Sequence, residues 1–241
     1  MTADHRLIAA MNELPEYTLI RSDRRSLELR VLPDQRLQIR APRRTPVRDI
    51  EAFLRSRLPW LARTRARLAE RPAPLALPLA HGARHPLLGQ PVELKVQPGK
   101  RQMTLLQGDQ LHMHLPTPTA TTIGAALERW YRSQARTEFN AEIDRQFPFF
   151  AARGHARPTL RIKRMKSRWG SLSTRGYINL NLALIQLPRP CLEYVVTHEL
   201  CHLEHMDHGP GFHRLMDQQL PDWRARKALL NRLPVIHHDL S

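Results

Sequence analysis

The sequence predicts an α+β protein of two regions, with strands prominent in the first and helices in the second. Apolar and polar residues alternate in several short runs before residue 118, which is the pattern of half-buried strands. From Thr121 onward, apolar residues fall mainly at helical spacing, interrupted by one strand–turn–strand segment. We therefore predict a β-rich region over residues 1–118 and a second domain over residues 119–241.

The first region is predicted to open with a β-hairpin. The run SLELRVLPDQRLQIRAP alternates on both sides of a Pro-Asp turn signal. The next segment, TPVRDIEAFLRSRLPWLARTRARLAE, predicts one long helix near residues 46–70, bent or divided at Pro59. The runs PVELKVQ, MTLLQG and QLHMHLP predict further strands. His112 and His114 share one face of the last run, and an exposed strand face explains them more simply than a metal site.

The second region is predicted to carry a histidine-rich helix. A helix from Thr121 precedes the breaker Pro148, and RIKRMKSRWGSLSTRGYINLNLALIQLP then predicts strand, turn and strand. Prolines introduce CLEYVVTHELCHLEH, in which four residues at helical spacing predict a buried face: Leu192, Val195, Val196 and Leu200. The strand YINLNLALI alternates polar and apolar residues, and at a sheet edge its backbone could pair with an extended peptide. An ordinary half-buried strand fits the same pattern.

The chain is strongly basic, with 38 Lys and Arg against 22 Asp and Glu and a formal net charge of +16. That balance suits a phosphate-rich partner such as nucleic acid, although arginine-covered solvated faces give the same composition. No apolar run approaches the roughly 20 residues of a membrane-spanning helix, and the start of the chain has no secretory signal pattern. Cys191 and Cys201, on one helix, would lie roughly 15 Å apart and could not bridge. We expect a reduced, cytoplasmic protein without a membrane association.

The motif HELCH, His198 to His202, predicts a catalytic metal site. Residues four apart on a helix lie one above the other, so His198 and His202 can reach one ion. Glu199 is placed between them to take a proton from metal-bound water, the mechanism associated with HExxH motifs. Catalytic zinc usually has three protein ligands and one open position. The sequence therefore predicts one Zn²⁺ with Glu199 as general base.

The third ligand has to come from a segment that turns back to the helix. On a continued helix His205 would lie roughly 10 Å along the axis from His198, too far to share an ion bound at about 2 Å. The run His208-Gly-Pro-Gly offers the turn, which favours His208 as third ligand. Asp217 is an alternative, since no glutamate follows Glu204.

The motifs RWGS, INLN and HELCHL together resemble the YgjP-like family of metal-dependent hydrolases, which is grouped with metallopeptidases. The resemblance is strong from about Trp130 to Trp223 and looser over the amino-terminal hairpin and helix. It implies a zincin-like catalytic domain with the HExxH helix packed on a small, mainly antiparallel sheet. It also supports His198, His202 and His208 as ligands and Glu199 as base. The family commonly has a cysteine where this chain has Leu172, which argues against a thiol role there.

Substrate-binding candidates come from the block before the helix. Arg168, Lys166 and the Tyr177 hydroxyl could stabilise a developing oxyanion, because the hairpin that carries them is expected beside the metal. Arg168 could instead only hold the hairpin through an ion pair. His205 and His213 are expected to be outer or surface residues.

Three functions follow as hypotheses. A zinc-dependent peptidase ranks first, because the motif and the resemblance favour it. A nucleotide pyrophosphohydrolase acting on nucleoside triphosphates such as UTP is the alternative, since such activity has been assigned in the resembled family and Arg164, Lys166 and Arg168 could clamp phosphates. A nucleic-acid-binding module with a structural metal ranks last, because a purely structural site has no need of Glu199.

Overall fold

The structure is a computed structural model, and it describes residues 14–32, 36–69, 75–165, 168–234 and 236–237. It has the mixed α+β content that the sequence predicts, with helices and several small sheets. The chain divides into two compact units, Met1–Arg71 and Pro72–Ser241.

The first unit is a three-stranded sheet followed by two helices. The strands are β1 (Tyr17–Ser22), β2 (Glu28–Val31) and β3 (Leu37–Pro42), and the helices are α1 (Val47–Ser56) and α2 (Leu58–Ala69). β3 lies in the centre, antiparallel to β2 and parallel to β1, so the predicted hairpin is confirmed; its turn lies outside the described residues. The unit has its own core, formed by Leu37, Ile39, Ala41, Ile50, Leu54 and Leu61.

The helix predicted near residues 46–70, bent or divided at Pro59, is divided into two helices in the structure. The break falls at Arg57, directly before α2, and Pro59 occupies the first turn of α2. Proline lacks a backbone N–H and its ring clashes with the carbonyl four residues earlier, whereas the first turn of a new helix tolerates both.

The second unit opens with a four-stranded sheet. Before it comes β4 (Leu75–Ala76), which pairs in a separate two-stranded sheet with the last strand, β12 (Ile236–His237). The four strands are β5 (Arg84–Leu87), β6 (Gln90–Pro98), β7 (Met103–Gln107) and β8 (Gln110–Leu115), in the order β5-β6-β8-β7. The buried face of this sheet, including Leu94, Leu111 and Met113, shares one core with the following helices. For that reason the second unit begins at Pro72, whereas the sequence predicts a boundary between residues 118 and 119.

The remaining elements carry most of the chain's helix. They are α3 (Ala120–Gln146), α4 (Pro148–Ala151), β9 (Thr159–Lys163), β10 (Gly170–Ser173), β11 (Tyr177–Asn181), a short 3-10 helix (Leu182–Gln186), α5 (Arg189–Cys201), α6 (Pro210–Gln219), α7 (Trp223–Arg232) and β12 (Ile236–His237). Thr119 and Thr122 form a capping box at the start of α3. α3 is buried along one side and packs against both α5 and β9, which makes it the centre of the core.

The sheet beside α5 is mixed, which corrects the prediction of a mainly antiparallel one. Its order is β10-β11-β9, with β11 antiparallel to β10 and parallel to β9. β9 and β10 occupy the two outer positions of this sheet, and β11 lies between them. β11 is therefore a central strand with partners on both sides, and the idea that YINLN offers a free edge to a peptide is wrong.

None of the helices in the described parts of the chain combines the length and the apolar character needed to cross a lipid bilayer.

Candidate metal centre

Helix α5 presents two histidines of the HExxH motif on one side and buries the other side in the core. The helix begins after Pro188 and has a proline in its first turn, a position where the missing N–H costs nothing. The residues predicted to be buried, Leu192, Val195, Val196 and Leu200, are all at most 3% exposed. His198 and His202 lie one turn apart and are half-buried, with their ring centroids 5.0 Å apart.

The third histidine returns to the helix through a tight turn. α5 ends at Cys201, with His202 as its C-terminal cap, and the amides of residues 202–205 turn back to carbonyls of residues 199–201. The predicted Gly-Pro-Gly turn is displaced: Gly209 caps α6 and Pro210 begins it, while the reversal comes earlier. His208 consequently lies between the reversal and α6, where its ring stacks on His198 at 4.9 Å.

These three imidazoles form a set of donors that fits one metal ion. One nitrogen from each of His198, His202 and His208 lies within 4.8 Å of the others, and no other group of this kind occurs in the described residues. The Nε2 atoms of His198 and His208 are 3.1 Å apart. Two nitrogens on one tetrahedral zinc, each about 2.05 Å from it, would lie about 3.3 Å apart. The spacing of the His198–His208 pair therefore matches two ligands of one tetrahedral ion, and the third nitrogen lies within 4.8 Å of them.

Surrounding groups hold the rings in that arrangement. His202 donates its Nδ1–H to the carbonyl oxygen of His205 at 2.9 Å, which leaves Nε2 for a metal. The ring of Phe212 packs against all three histidines at centroid distances of 4.7–4.9 Å. The pKa of His198 is lowered to about 3, mainly by burial and to a smaller extent by the neighbouring His202 and His208. His198 is thus neutral at pH 7, the state in which imidazole binds metals.

The side chain of Glu199 contacts strand β10 at Gly170 and Leu172. It is only 5% exposed, and it accepts a hydrogen bond from the backbone N–H of Leu172. A Cβ atom at Gly170 would lie 2.6 Å from Glu199 Oε1, so only glycine leaves room for the carboxylate there. Burial raises the pKa of Glu199 to about 7, against the lowering effects of the Leu172 amide and the Arg168 charge. A carboxylate with such a pKa can accept and return a proton near neutral pH.

Arg168 is the substrate-binding candidate that the structure brings to the site. Its side chain is exposed, its charge is felt at Glu199, and it has no ion-pair partner among the described residues. The alternative role of Arg168 in a structural ion pair is therefore not observed. Asn181 fixes the segment that carries it, since Asn181 Nδ2 donates to the carbonyls of Met165 at 2.8 Å and Arg168 at 3.0 Å.

Tyr177 is not brought together with the histidines. Lys166 lies outside the described residues. Ile178 and Leu180 of β11 belong to the core that includes α5, so the alternation of side chains puts Tyr177 on the opposite face of the sheet. There the guanidinium of Arg161 lies over the Tyr177 ring at 3.3 Å.

Asp217 and Glu204 are engaged elsewhere. Asp217 accepts hydrogen bonds from Trp223 Nε1 at 2.8 Å and from Arg224 at 2.5 Å, and it is not part of the metal-binding group. Glu204 pairs with His155 Nε2 at 3.0 Å.

The family model of the YgjP-like metallopeptidase domain matches residues 25–233 of the sequence. The chain belongs to the YgjP-like family. It is accordingly a metal-dependent hydrolase. Among solved structures, the chain is similar to the metallopeptidase zymogen jannalysin of Methanocaldococcus jannaschii, at 17% sequence identity and a TM-score of 0.32. That similarity covers 37% of this chain and 93% of jannalysin. No curated protein matches the sequence.

The two motifs that the YgjP-like chain carries before its HExxH helix are joined by asparagine side chains. Asn179 Nδ2 donates to the backbone oxygen and the hydroxyl of Ser171, both at 3.2 Å, and Asn181 holds the segment around Arg168. The asparagines of INLN thus hold the RWGS segment in place through hydrogen bonds. Both asparagines are more than nine-tenths buried, so the polar face of this strand is covered by the protein.

Sequence reasoning also missed an aromatic group beside the histidines. Trp223 stacks on Tyr194 at 6.4 Å and on His213 at 5.8 Å, and Tyr194 in turn lies 5.8 Å from the ring of His198. The one signal in the sequence was the spacing of four residues between Tyr194 and His198, which places both on the same face of a helix. Nothing in the sequence indicates that Trp223, from a different helix, completes the group.

Proposed function

We propose that this YgjP-like chain is a zinc-dependent peptidase in which Glu199 is the general base. The observation that carries the proposal is the buried Glu199 carboxylate with a pKa near 7, next to three histidines whose nitrogens converge. His198, His202 and His208 would hold the ion. Zinc bound there supplies a Lewis acid and lowers the pKa of a water ligand towards neutrality.

Glu199 performs the proton transfers of peptide hydrolysis. It accepts a proton as the water oxygen bonds to the peptide carbonyl carbon, and it returns that proton to the nitrogen as the C–N bond breaks. The N–H of Leu172 holds the carboxylate in one orientation, and Gly170 lets it approach the strand. Arg168, exposed beside Glu199, is suited to stabilise the negative charge that develops on the carbonyl oxygen.

Strand β10 supports a peptide as the substrate. It pairs with β11 on one side and is the edge strand of its sheet on the other, next to Glu199. An extended peptide can add to such an edge through main-chain hydrogen bonds. The peptide-binding edge is therefore β10, one strand away from the YINLN strand that the sequence suggested.

The nucleotide alternative has less support from the same contacts. Of the three cations expected to clamp phosphates, Arg164 is already paired with Glu128 at 2.8 Å and Lys166 lies outside the described residues. Only Arg168 remains as a described cation without a partner beside Glu199.

One pair of proteins tests the proposal against its alternatives. Zinc-loaded wild type and Glu199→Gln are incubated separately with an unfolded protein and with nucleoside triphosphates including UTP. We expect wild type to produce new peptide amino groups, and Glu199→Gln to bind zinc equally well while losing about 10²- to 10⁴-fold in rate. Pyrophosphate release by wild type alone, without peptide cleavage, would overturn the peptidase proposal. Equal activity of the two proteins would exclude Glu199 as the base.

A further inference from the structure

Lys227 is an exposed cation on helix α7 that lies over the ring of Trp223, and none of the described acidic residues pairs with it. Its Nζ is 5.6 Å from the centre of the Trp223 ring, and that ring stacks on Tyr194 and His213. Tyr194 contacts the ring of His198, and His213 follows Phe212, which packs on all three ligand histidines. Two stacked rings, Trp223 and Tyr194, thus connect the exposed Lys227 to the ring of His198.

The acidic residues around Lys227 are occupied by other cations. Asp217 is bound by Arg224, and Asp222 and Glu193 are both bound by Arg226. Lys227 itself makes no ion pair with any residue that the structure describes. Asp207, next to His208, instead accepts a hydrogen bond from the amide of Gly209. An exposed charge beside an active site, with its neighbouring acids already paired, is available to a ligand.

The helix that carries Lys227 is held firmly. Trp223 and Leu230 of α7 are buried, and Arg226 ties the helix to α5 through Glu193. The same Glu193 also lies 3.7 Å from Arg145 of α3. The base of the Lys227 side chain is consequently fixed relative to the HExxH helix, which a specificity-determining residue requires.

We propose that Lys227, on the Trp223–His213 wall, binds a carboxylate of the peptide substrate. This inference rests on the proposed peptidase function and adds a substrate class to it: peptides that carry an acidic side chain near the scissile bond or end in a free α-carboxylate there. The aromatic wall beneath the lysine offers apolar contact to the rest of that residue. The positive charge of Lys227 disfavours cationic residues at the same position of the substrate.

Matched peptides distinguish the two sources of the carboxylate. Internally quenched peptides are prepared in pairs that differ by Glu→Gln at each position, and each pair in free-acid and amidated form. Full-length zinc-loaded protein is compared with Lys227→Met, which removes the charge, and Lys227→Arg, which keeps it. Arg232→Met, which removes a charge from the far end of the same helix, is the control.

We expect the wild type to favour the carboxylate peptides about tenfold in kcat/KM, with the effect mainly in KM and weakened by salt. Lys227→Met should lose that preference, while Lys227→Arg and Arg232→Met keep it. Loss of the preference on Glu→Gln identifies an acidic side chain, and its loss on amidation identifies the terminal carboxylate. No carboxylate preference in wild type, or an unchanged preference in Lys227→Met, would overturn the proposal.

A binding measurement separates this proposal from the peptidase proposal. Labelled peptides are titrated with Glu199→Gln protein, alone and combined with Lys227→Met, and the Kd is measured by fluorescence anisotropy. Binding that prefers the carboxylate and depends on Lys227, without cleavage of any peptide by the wild type, would refute the peptidase function and leave the carboxylate site standing. Cleavage of peptides by the wild type, with binding that shows no preference for the carboxylate, would refute the carboxylate site and support the peptidase function.

Discussion

Two groups of histidines in this protein have similar spacing but different surroundings. His112 and His114 lie on one face of strand β8, roughly 6.6 Å apart along the strand. His198 and His202 lie on one face of helix α5, about 6 Å apart along its axis. Either pair could bind an ion, so the spacing of the two residues does not decide which of them forms a site.

The surroundings of the two pairs decide it. The register of the sheet puts Leu105 and Lys95 on the two sides of His112, and Met103 and Gln97 on the two sides of His114. None of these neighbours is a further metal ligand of the usual kind, and Lys95 is a cation. The helix pair, by contrast, gains His208 from the turn that follows it and Glu199 from between its two members. A metal site therefore needs a third donor and a base from the tertiary structure, in addition to a pair.

The largest effect is expected from removing the third donor. His208→Ala should weaken zinc binding by more than the roughly 10- to 100-fold that loss of an outer hydrogen-bonding partner causes, because a direct ligand is lost. His205→Ala is the matched control, since its backbone carbonyl still accepts the hydrogen bond from His202. Zinc affinity is measured by competition with a chelator. Tight stoichiometric zinc in His208→Ala would show that another residue is the third ligand.

The next largest effect is expected from displacing the base while all three ligands remain. In Gly170→Ala the new Cβ would lie 2.6 Å from Glu199 Oε1, so the carboxylate must move. We expect kcat/KM for peptide hydrolysis to fall about 100-fold, the loss that a misplacement of about 1 Å can cause, with zinc stoichiometry unchanged.

Gly176→Ala controls for a mere loss of stability. Gly176 turns between β10 and β11 with a φ of +76°, and a Cβ there would meet no atom within 4 Å. The Gly176→Ala substitution should lower the midpoint of thermal unfolding through backbone strain, without lowering the activity of the folded protein. If Gly170→Ala and Gly176→Ala lose activity equally, then loss of stability, and not displacement of Glu199, explains the effect of Gly170→Ala.

A smaller effect should follow from giving the strand pair a third donor. Leu105 is exposed and lies directly opposite His112, so Leu105→His would put three imidazoles on one sheet face. We expect a second zinc ion to bind, more weakly than at α5, because the new site is exposed and lacks ordered outer partners. Leu105→Gln is the control, and equilibrium dialysis counts the bound zinc. One zinc per chain in both variants would show that Lys95 or the exposure of the face prevents binding.

The smallest effect is expected from removing the strand histidines. His112→Ala and His114→Ala should leave zinc stoichiometry and peptide hydrolysis within error of the wild type, because both rings lie on the outer face of a sheet whose other face forms the core. Elemental analysis of the purified variants checks this. A loss of one zinc in either variant would show that the strand pair binds metal after all.

Much of the candidate site could be predicted from the sequence, because its signals are local. The spacing of four residues in HELCH and the buried face of Leu192, Val195, Val196 and Leu200 arise from the 3.6-residue period of one helix. The predictions for Arg168 and Tyr177 depended instead on which face of a sheet meets the helix. Arg168 lies beside Glu199, whereas Tyr177 lies on the far face under Arg161. Alternation along β11 separates Tyr177 from Ile178 and Leu180, but only the packing of the sheet shows which of the two faces meets α5.

The sequence by itself determined the histidine helix, its buried face and the chemical type of the centre, since each depends on residues within a few turns of one another. Tertiary structure alone decided that β11 is central and β10 is an edge strand of the described sheet, and that Glu199 is buried enough to have a pKa near 7. It also decided that Trp223 of α7, which carries Lys227 over its ring, stacks on Tyr194 of α5. These features depend on desolvation and on charges from distant segments. Both are set by which surfaces pack together, and only the folded chain brings those surfaces into contact.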